Sequence, residues 1–501
     1  MRYHHDVIVV GAGGAGVPLA ARLAARGAQV LLLEAGPVPA PVESQDGTSL
    51  SAAMPSHPLT ISYPGTLFAG RHHTVVRGRV AGGSTTINAG YFRRPRTHDL
   101  DSWAARSGDG RWSAKATRPL WAQIEDDQDF GASFGHGTTG PLPVSRGSID
   151  HPVTAALTAA GSALGLPLVL DQNSSPDPPV GVGPVPTNSL NGERWSTARA
   201  WLDPAPSGLD VRGGCAVKRV IIDPRCRVTG VEVVVDRHIQ ILPADLVVLC
   251  AGAIETPKLL VRSGIGPADA VRYADVPVLF DAPVGAELHD HPQLQLRFKV
   301  HQSVIDAPFR TVIGASAVCT SGVGASETDG DIEVLSLLRP LGKMLGTDRG
   351  DNSLSLLVSA LRTEAPGRLM FDRSGTPRLD FRYISTADDR ARLRAAARLA
   401  AAMLASDEVR DLGGEPEHPA LLSLDDVDLD NWIRNNLSTS LHSCGTTPMG
   451  TDTSTSVVDG RGAVYGLIGL HIADLGILPT TPTSGPAASA VLVGQVIAEL
   501  L

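Results

Sequence analysis

The residues whose types and spacing point most directly to chemistry lie near the start of the chain. Gly11, Gly13 and Gly16 form a G-x-G-x-x-G run, and an acidic residue, Glu34, follows at the spacing of a ribose-binding carboxylate. In such a run the first glycine permits a tight turn, the second lets the backbone approach a pyrophosphate, and the third lets a helix pack closely on a strand. The carboxylate accepts a hydrogen bond from a ribose 2′-hydroxyl. The pattern therefore predicts a dinucleotide site.

The elements needed to position these glycines can also be predicted. Val7–Val10 is an unbroken apolar run, typical of a parallel strand that is buried on both faces. Residues 14–26 repeat apolar side chains at helical spacing, and Gly27 predicts the end of that helix. A second apolar run, Val30–Leu33, leads into Glu34. A glycine-rich turn without a ligand is the alternative, but strand, helix, second strand and acid together favour a nucleotide-binding βαβ unit, for FAD and NAD alike.

Length and composition limit the classes of protein to which the chain can belong. With 501 residues, 43% of them hydrophobic and 19% charged, it is long enough for two globular domains or one interleaved α/β assembly. The net charge of -9 argues against a general nucleic-acid binder. No apolar run approaches the length of a membrane span, so we predict a cytoplasmic protein, with peripheral membrane contact left open. The five cysteines form no C-x-x-C pair, and we expect neither a disulfide framework nor a metal site.

Two segments of different character follow the βαβ unit. Residues 37–67 are rich in Pro and Ser, and we interpret them as a surface excursion or lid without a fold of its own. Residues 77–94 (RGRVAGGSTTINAGYFRR) contain Gly82 and Gly83, where backbone can approach a ligand, and the short hydrogen-bonding residues Ser84 and Asn88. Taken alone, this second segment is an ordinary polar loop.

The run from Arg77 to Asn88 closely resembles the first signature of the glucose–methanol–choline (GMC) oxidoreductases, which are FAD enzymes. Residues 252–266 (GAIETPKLLVRSGIG) fit the second signature of that family at every constrained position. The resemblance continues through residues 136–142 and 192–202, and it includes the closing segment at residues 459–474. The chain is therefore identified as a member of this family over nearly its whole length.

The resemblance implies an α/β fold in which a Rossmann-like FAD-binding domain is interleaved with an α+β substrate domain, an antiparallel sheet backed by helices. The FAD-binding domain is expected to comprise residues 1–144, 186–291 and 436–501, and the substrate-binding domain residues 145–185 and 292–435. The family also has a β-hairpin region at the position of residues 207–243. Local patterns predict a helix from Asp388 to Ala405, a last helix over Val491–Leu501, and four strands, Gln295–Val300, Asp331–Leu338, Ser353–Leu361 and Pro377–Tyr383.

The resemblance also implies which residues contact FAD. Val217 is expected to touch the adenine through its backbone, and Asp474 to lie near the ribityl–phosphate part. The position of covalent flavin attachment in some relatives is Ile87 here, so we expect FAD to be bound non-covalently. The full set of expected cofactor residues is Gly11, Gly13, Gly14, Ala15, Gly16, Glu34, Ala35, Arg77, Gly82, Gly83, Ser84, Asn88, Ala89, Val217, Ala251, Gly252, Asp474 and Leu475.

One histidine has the sequence context of a catalytic base. Residues 441–450 (LHSCGTTPMG) resemble the family segment whose histidine, His442 here, sits over the flavin ring. The implied reaction removes a proton from a substrate hydroxyl while hydride leaves the same carbon for flavin N5. A neutral imidazole suits the proton transfer because its pKa lies near working pH. The Asp290–His291 pair also follows a family pattern, and we interpret it as structural.

The sequence departs from the family at the position of a second catalytic group. The family places His or Asn there, downstream of the catalytic histidine, and this chain has Gly485. A glycine can neither orient a substrate oxygen nor share its proton through a side chain. Either His442 works with one partner fewer, helped by Ser484 or Thr483, or the substrate is held in another way.

These features imply an FAD-dependent dehydrogenase that oxidises an alcohol and passes electrons to an acceptor other than oxygen. The short chain, the C-G-T segment after His442 and the S-G-P-A-A-S-A ending resemble the mycofactocin-associated branch, whose substrate is thought to be a reduced peptide-derived carrier. An alcohol oxidase that uses O2 and a non-redox lyase on the same scaffold stay open as alternatives. The sequence identifies neither the substrate nor the electron acceptor.

Overall fold

The computed structural model describes residues 5–146, 150–175, 177–324, 330–347, 350 and 352–501. At its centre is a five-stranded sheet in which every neighbouring pair is parallel. Its strands are short, and the two strands predicted around the glycine run lie in the middle, buried on both faces as their sequence indicates. In spatial order the strands are Leu209–Arg212, Val30–Leu33, Val7–Val10, Val247–Leu249 and Leu470–Ile472.

Two helices from opposite ends of the chain pack together beside this sheet. The first, Gly16–Ala25, follows the glycine run, and the second, Ala487–Leu500, is the last helix. They approach closely at Gly494, where an added Cβ would lie 2.3 Å from the Ala15 carbonyl oxygen. The last helix is therefore held against the glycine loop at residues 11–16. This packing brings residues near 485 and 11 into one region.

A larger antiparallel sheet forms the second layer of the molecule. Its strands, in spatial order, are Glu415–Pro416, Pro292–Lys299, Leu354–Ala360, Ile332–Leu337, Ile313–Cys319 and Gly181–Pro184, and Ser438–Thr439 pairs with the start of Pro292–Lys299. The helix Ala387–Leu404 backs this sheet. Thr386 caps that helix by accepting a hydrogen bond from the Asp389 N–H. Its buried face carries Ala396, Ala397 and Ala400, small residues that permit close packing.

Two smaller sheets complete the strands that bear on the site. The predicted hairpin region forms an antiparallel sheet of Ala216–Ile222, Val228–Val235 and His238–Pro243. A mixed sheet contains, in order, Arg368–Phe371, Pro377–Asp380, Thr60–Phe68 and Arg71–Gly78. The short pairs are Glu125–Asp127 with Leu142–Val144 and Ser189–Leu190 with Glu193–Arg194. The remaining α-helices are Thr97–Ser107, Ala114–Ile124, Pro152–Ala163, Thr197–Leu202, Gly252–Arg262, Ala268–Tyr273, Gln302–Ile305, Leu341–Met344, Asp407–Arg410 and Asp426–Asn436.

The strand Thr60–Phe68 corrects the interpretation of residues 37–67 as a lid without a fold. Pro64 and Gly65 have a low intrinsic preference for strands. Pairing with Arg71–Gly78 outweighs this preference, and Tyr63 and Leu67 are buried in the resulting strand. The strand Ile313–Cys319 was also missed, because its centre is made of small residues with weak strand preference. The α/β class, with its parallel sheet and its separate antiparallel sheet, is confirmed. In the described residues, no helix combines the length and the apolar character needed to cross a bilayer.

Candidate active site

The loop from Gly11 to Gly16 connects the central parallel strand to the first helix. Gly11 has a φ of +104°, and a Cβ there would lie 2.6 Å from the Cys250 carbonyl oxygen. A Cβ on Gly16 would lie 2.0 Å from the Gly11 carbonyl oxygen, so Gly16 serves the packing of helix on strand. A Cβ on Gly13 would meet no atom within 4 Å. The backbone at Gly13 is open to a ligand, whereas Gly11 and Gly16 are required by the turn itself.

Glu34 ends the second parallel strand and holds this loop in place. Its Oε2 accepts a hydrogen bond from the Ala12 N–H at 3.0 Å, and its Oε1 accepts one from the Gly36 N–H at 2.8 Å. Burial raises the pKa of the Glu34 carboxyl, although both backbone donors oppose that shift. Each carboxylate oxygen has a second acceptor site, so the group can still bind a ribose hydroxyl.

The second glycine segment lies directly against the first. The Gly82 N–H donates to the Ala12 carbonyl oxygen at 2.7 Å, and a Cβ on Gly83 would lie 2.9 Å from the Gly13 Cα. Ser84 accepts a hydrogen bond from the Gly78 N–H at 3.1 Å, which closes the turn after the strand Arg71–Gly78. The two glycine segments, distant in sequence, therefore form one continuous backbone wall.

Asp474 joins two further segments at the opposite edge of that wall. Its Oδ2 accepts from the Gly252 N–H at 2.9 Å and from the Thr256 hydroxyl at 2.6 Å, and its Oδ1 accepts from the Gly476 N–H at 2.8 Å. Burial raises the pKa of this carboxyl. Asp474 thus caps the start of the helix Gly252–Arg262, and Gly252, where a Cβ would meet no atom within 4 Å, stays open.

These segments enclose a cavity of about 720 Å³ between the parallel sheet and the antiparallel sheet. All of the expected cofactor residues line it except Gly16 and Gly82, which support the loops from behind; His442 lines it as well. Residues that sequence reasoning did not single out also line it, among them Tyr63, Tyr91, Glu255, Gln293 and Glu333. Most of these belong to strands whose side-chain direction depends on register, and no local pattern reveals that direction.

His442 follows the short strand Ser438–Thr439 and lines the cavity. Leu441, just before it, has a φ of +61°, a conformation that is strained for a leucine. The strained turn is held because the Leu441 N–H donates to the Thr439 hydroxyl at 3.0 Å and the His442 N–H donates to Asp290 Oδ1 at 3.0 Å. Burial lowers the pKa of the His442 imidazole well below its usual value, and His291 and Arg77 lower it further.

The Asp290–His291 pair has more to do with His442 than the sequence suggests. Asp290 also accepts from the Ser443 hydroxyl at 2.9 Å, so its contacts to the loop are structural, as interpreted. The His291 Nδ1, however, lies 2.9 Å from the His442 Nδ1, with the two rings perpendicular at 89°. Burial lowers the pKa of His291 to about 4. The position of the pair in a family-like motif was the only signal in the sequence for this contact.

Gly485 lies beside His442, and no side chain from its own segment replaces the missing group. A Cβ on Gly485 would lie 3.6 Å from the His442 Cε1, but only 2.8 Å from the Tyr91 Cδ1. Thr483 and Ser484 do not line the cavity, and the Thr483 hydroxyl donates to Asp99 Oδ2 at 2.9 Å. The expectation that one of them assists His442 therefore finds no support in their positions, whereas the ring of Tyr91 occupies the space.

The residues of the cavity fit an FAD molecule. The open glycine position Gly13 stands at the start of a helix, where free N–H groups and the helix dipole favour phosphate. Gly252 is open as well, but its N–H is already bound to Asp474. Glu34 lines the cavity beside the glycine loop, where a ribose would be bound, and His442 lines it close to a strand of the antiparallel sheet. Ile87 offers no side-chain atom that could form a covalent bond to a flavin.

A second cluster of polar residues lies outside this cavity. Donor atoms of Glu125, Asp127 and His136 are close enough together to hold a cation. Arg94 pairs with Glu125, however, and the Arg146 Nη1 lies 2.6 Å from Asp127 Oδ1. Their guanidinium groups already supply positive charge to these carboxylates, so the cluster is an ion-pair network.

Comparison with known proteins gives a consistent family. A family model described as GMC oxidoreductase matches residues 5–293, and a second model of that description matches residues 365–494. A GMC-type oxidoreductase of Rhodococcus erythropolis, itself uncharacterised, is 33% identical over 99% of this chain and 98% of its own length. The oxygen-dependent choline dehydrogenase of Pseudomonas savastanoi is 30% identical over 99% of this chain and 93% of its own.

Solved structures resemble the chain over its full length. The crystal structure of pyridoxine 4-oxidase from Mesorbium loti has a TM-score of 0.89 and 28% identity, and 99% of each chain is covered. A formate oxidase variant from Aspergillus oryzae also has a TM-score of 0.89, covering 99% of this chain and 98% of its own. At 22% identity, the second structure supports the fold alone.

Proposed function

The chain belongs to the GMC oxidoreductase family, and we propose that it is an FAD-dependent dehydrogenase that oxidises an alcohol with His442 as the base. The observation that carries this proposal is the position of His442 on the wall of a cavity that begins at the glycine loop, where burial lowers the pKa of its imidazole. The substrate is a small alcohol or a reduced carrier of the mycofactocin type, and an acceptor other than oxygen takes the electrons.

FAD is the cofactor in this proposal, and it is bound non-covalently. The backbone at Gly13 would hold its pyrophosphate, and Glu34 would accept a hydrogen bond from its ribose. Bound there, FAD supplies the acceptor for the hydride that leaves the carbinol carbon. The chain itself must then position the alcohol and remove its hydroxyl proton.

The proton is taken by Nε2 of His442, an assignment that follows from the histidine pair. Burial leaves both rings neutral, so the two Nδ1 atoms, 2.9 Å apart, share a single proton. His291 Nε2 has no partner of full hydrogen-bond geometry in the described chain, yet backbone groups of Pro482 and Leu361 raise the pKa of the ring. Proline has no N–H, so the group of Pro482 that raises this pKa is its carbonyl oxygen, an acceptor that favours a proton on the His291 ring.

With its own proton on Nε2, His291 presents the Nδ1 lone pair to His442. His442 then carries its proton on Nδ1 and donates it to His291, which leaves the lone pair of His442 on Nε2. Asp290 fixes the backbone N–H of His442 and so limits movement of the ring. His291 is a positioning residue in this scheme, and His442 is the group that touches the substrate.

Use of O2 as electron acceptor is the second candidate. It is favoured by two of the similar proteins, which are named a 4-oxidase and an oxygen-dependent dehydrogenase. Release of peroxide during alcohol oxidation, at a rate matching the reduction of an artificial dye, would support the oxidase.

The proposal is tested with the purified chain and a panel of primary and secondary alcohols. We expect flavin absorbance that acid denaturation releases into solution, and bleaching of that absorbance when a substrate alcohol is added without oxygen. A colourless protein that does not bind added FAD would contradict both the proposed cofactor and the proposed function. Flavin absorbance that no alcohol or reduced carrier bleaches would contradict the reaction but leave the cofactor.

A further inference from the structure

The space beside His442 that a side chain at position 485 would fill is taken by Tyr91. A Cβ on Gly485 would lie 2.8 Å from the Cδ1 and 3.0 Å from the Cε1 of that ring, well inside van der Waals contact. Glycine is therefore required at position 485 as long as the Tyr91 ring stands there. The edge of the ring that carries Cδ1 and Cε1 faces position 485, and the hydroxyl contacts Glu333.

The hydroxyl of Tyr91 is attached to a buried carboxylate. It donates a hydrogen bond to Glu333 Oε1 at 3.0 Å, and the Ser316 hydroxyl donates to the same oxygen at 2.6 Å. The Arg93 Nη1 lies 3.9 Å from this oxygen, and the side chain of Arg93 is only 3% exposed. Burial and the nearby Glu333 charge raise the pKa of the Tyr91 phenol, so it stays protonated and remains a donor.

The other oxygen of Glu333 has no partner in the part of the chain that the structure describes. The hydrogen bonds and the ion pair of Glu333 with described residues all involve Oε1. Oε2 is not fully buried. Because Glu333 lines the cavity, Oε2 is accessible from the cavity. One oxygen of this carboxylate already accepts two hydrogen bonds, and the other faces a cavity in which a ligand can bind. The second oxygen can therefore accept a hydrogen bond from a ligand.

The surroundings of Glu333 indicate what kind of donor fits. Glu333 lies opposite Ser359, which lies opposite Gln293, so three polar residues form one row across the antiparallel sheet. The next row on the same face contains Leu335 and Leu357, which also line the cavity. Because Arg93 balances the charge of Glu333, this wall of the cavity does not require a cationic ligand. A ligand with a neutral hydrogen-bond donor on an otherwise apolar molecule fits it.

We propose that Oε2 of Glu333 accepts a hydrogen bond from a second, neutral donor group of the substrate, so that this enzyme selects alcohols with such a group. The inference rests on the proposed function, because it takes His442 as the point where the reacting hydroxyl binds. The Tyr91 ring spans the distance from the Gly485 region to Glu333. A substrate lying along Tyr91 therefore needs about one benzene ring between its reacting hydroxyl and its second donor.

The test compares two arylmethanols that differ only in the donor, 3-(hydroxymethyl)phenol and 3-methoxybenzyl alcohol. With the FAD-loaded enzyme we expect the phenol to have the higher kcat/KM by about tenfold to a hundredfold, mostly through KM, as for a hydrogen bond to a charged group. In Glu333→Gln, the amide oxygen will face the donors Tyr91 and Ser316, so its NH₂ turns to the cavity. We expect this variant to lose the preference and to favour the methoxy compound.

Binding without reaction separates this proposal from the proposed function. 3-Methylphenol and 3-methylanisole differ in the same way as the two arylmethanols, a hydroxyl against a methoxy group, but neither has a carbinol that could react. Their dissociation constants are measured by titration calorimetry of the FAD-loaded protein. We expect tighter binding of the phenol to the wild type and no such preference in Glu333→Gln. Tighter binding of the phenol while neither arylmethanol bleaches the flavin would support the Glu333 site and count against the reaction.

Glu417→Gln is the matched control, because Glu417 also contacts an arginine and a serine, Arg297 and Ser353, but lies outside the cavity. It is expected to keep the wild-type preference. Equal binding of the two compounds by the wild type would overturn the inference, as would an unchanged preference in Glu333→Gln. A wild type that prefers choline to both arylmethanols, and loses that preference in Glu333→Gln, would overturn it in favour of a cation site. If Glu333→Gln does not fold, the wild-type comparison decides.

Discussion

His442 and His136 are both enclosed by protein, yet their pKa values are moved in opposite directions. At His442 burial dominates, and its nearest ionisable neighbours, His291 and Arg77, lower the pKa further. At His136 burial also lowers the pKa, but hydrogen bonds from the ring to Asp127, Asp171 and Glu125 outweigh it and raise the value to about 10. Burial alone therefore does not decide the charge of a histidine, since contacts from carboxylates to the ring decide it.

The two surroundings explain why one histidine suits proton transfer and the other suits stability. The His136 Nδ1 lies 2.8 Å from Glu125 and 3.0 Å from Asp127, and the Nε2 lies 3.0 Å from Asp171. These three carboxylates are balanced by two guanidinium groups, Arg94 and Arg146, and by the imidazolium itself. Near His442 the carboxylate of Asp290 accepts from backbone N–H and hydroxyl groups, and no carboxylate of a described residue forms a hydrogen bond with the ring. A permanently charged imidazole cannot act as a base, and a neutral one does not balance three buried carboxylates.

The largest expected effect is on catalysis at His442. In His442→Ala, kcat/KM for the alcohol is expected to fall by about 10²–10⁴-fold, the usual contribution of a positioned base. Flavin absorbance should be retained, because the glycine loops that would hold the cofactor do not include residue 442. Anaerobic rates of flavin bleaching measure the effect. Unchanged bleaching with normal cofactor content would remove His442 from its proposed role.

Removal of His136 is expected to affect stability and leave the chemistry intact. His136→Leu deletes the imidazolium and leaves three largely buried carboxylates facing two arginines, an imbalance for which we expect a loss of about 3–5 kcal/mol in the free energy of unfolding. Urea unfolding of the FAD-loaded protein measures this loss, with His72→Leu at an exposed position as control. A loss no greater than that of the control would show that the network is not charge-balanced by His136.

A smaller effect is expected at His291. In His291→Phe the ring volume is kept, but the Nδ1–H of His442 loses its acceptor, a loss of about 1–3 kcal/mol that corresponds to about tenfold to a hundredfold in kcat. Because the second ring nitrogen can then carry the proton, kcat should fall more than KM changes. His289→Phe is the control, since the His289 ring is paired with Glu287 and does not contact His442. Equal kinetics for the two variants would argue against a positioning role for His291.

The smallest effect concerns pH, and it should separate the two histidines. With its pKa lowered well below about 6.5, His442 is already unprotonated at neutral pH, so kcat/KM for a non-ionising alcohol should stay flat between about pH 6.5 and 8. The pKa of His136 is raised above its unfolded value, so its stabilisation is complete below about pH 6.5 and is lost as pH rises toward about 10.

Melting temperatures of wild type and His136→Leu measured across this alkaline range are expected to converge as pH rises. Parallel curves would contradict a proton held by His136. An inflection in kcat/KM near pH 6.5 would contradict a neutral His442.

Much of the nucleotide-binding unit could be predicted, because each of its features is local. An apolar run such as Val7–Val10, a glycine turn and a helix stop at Gly27 are decided by neighbouring residues, and the structure has the strands at the predicted bounds. The last helix and the helix after Thr386 were also predicted to within a few residues. Prediction failed for Thr60–Phe68, where Pro64 and Gly65 indicate a loop until a partner strand supplies hydrogen bonds. The boundaries between the two domains stay a prediction.

The amino-acid sequence by itself determined the family, the βαβ unit and the identity of the histidine proposed as base, because these depend on residue types at short spacing. Only the tertiary structure decided the partners of that histidine: His291 against its Nδ1, and Tyr91 in the space beside Gly485. The reason is geometric, since residues 91, 291, 333, 442 and 485 meet only where the parallel and antiparallel sheets face each other. Strand register and the close packing of the last helix on the first bring these residues there. Neither feature can be deduced from a single segment of the sequence.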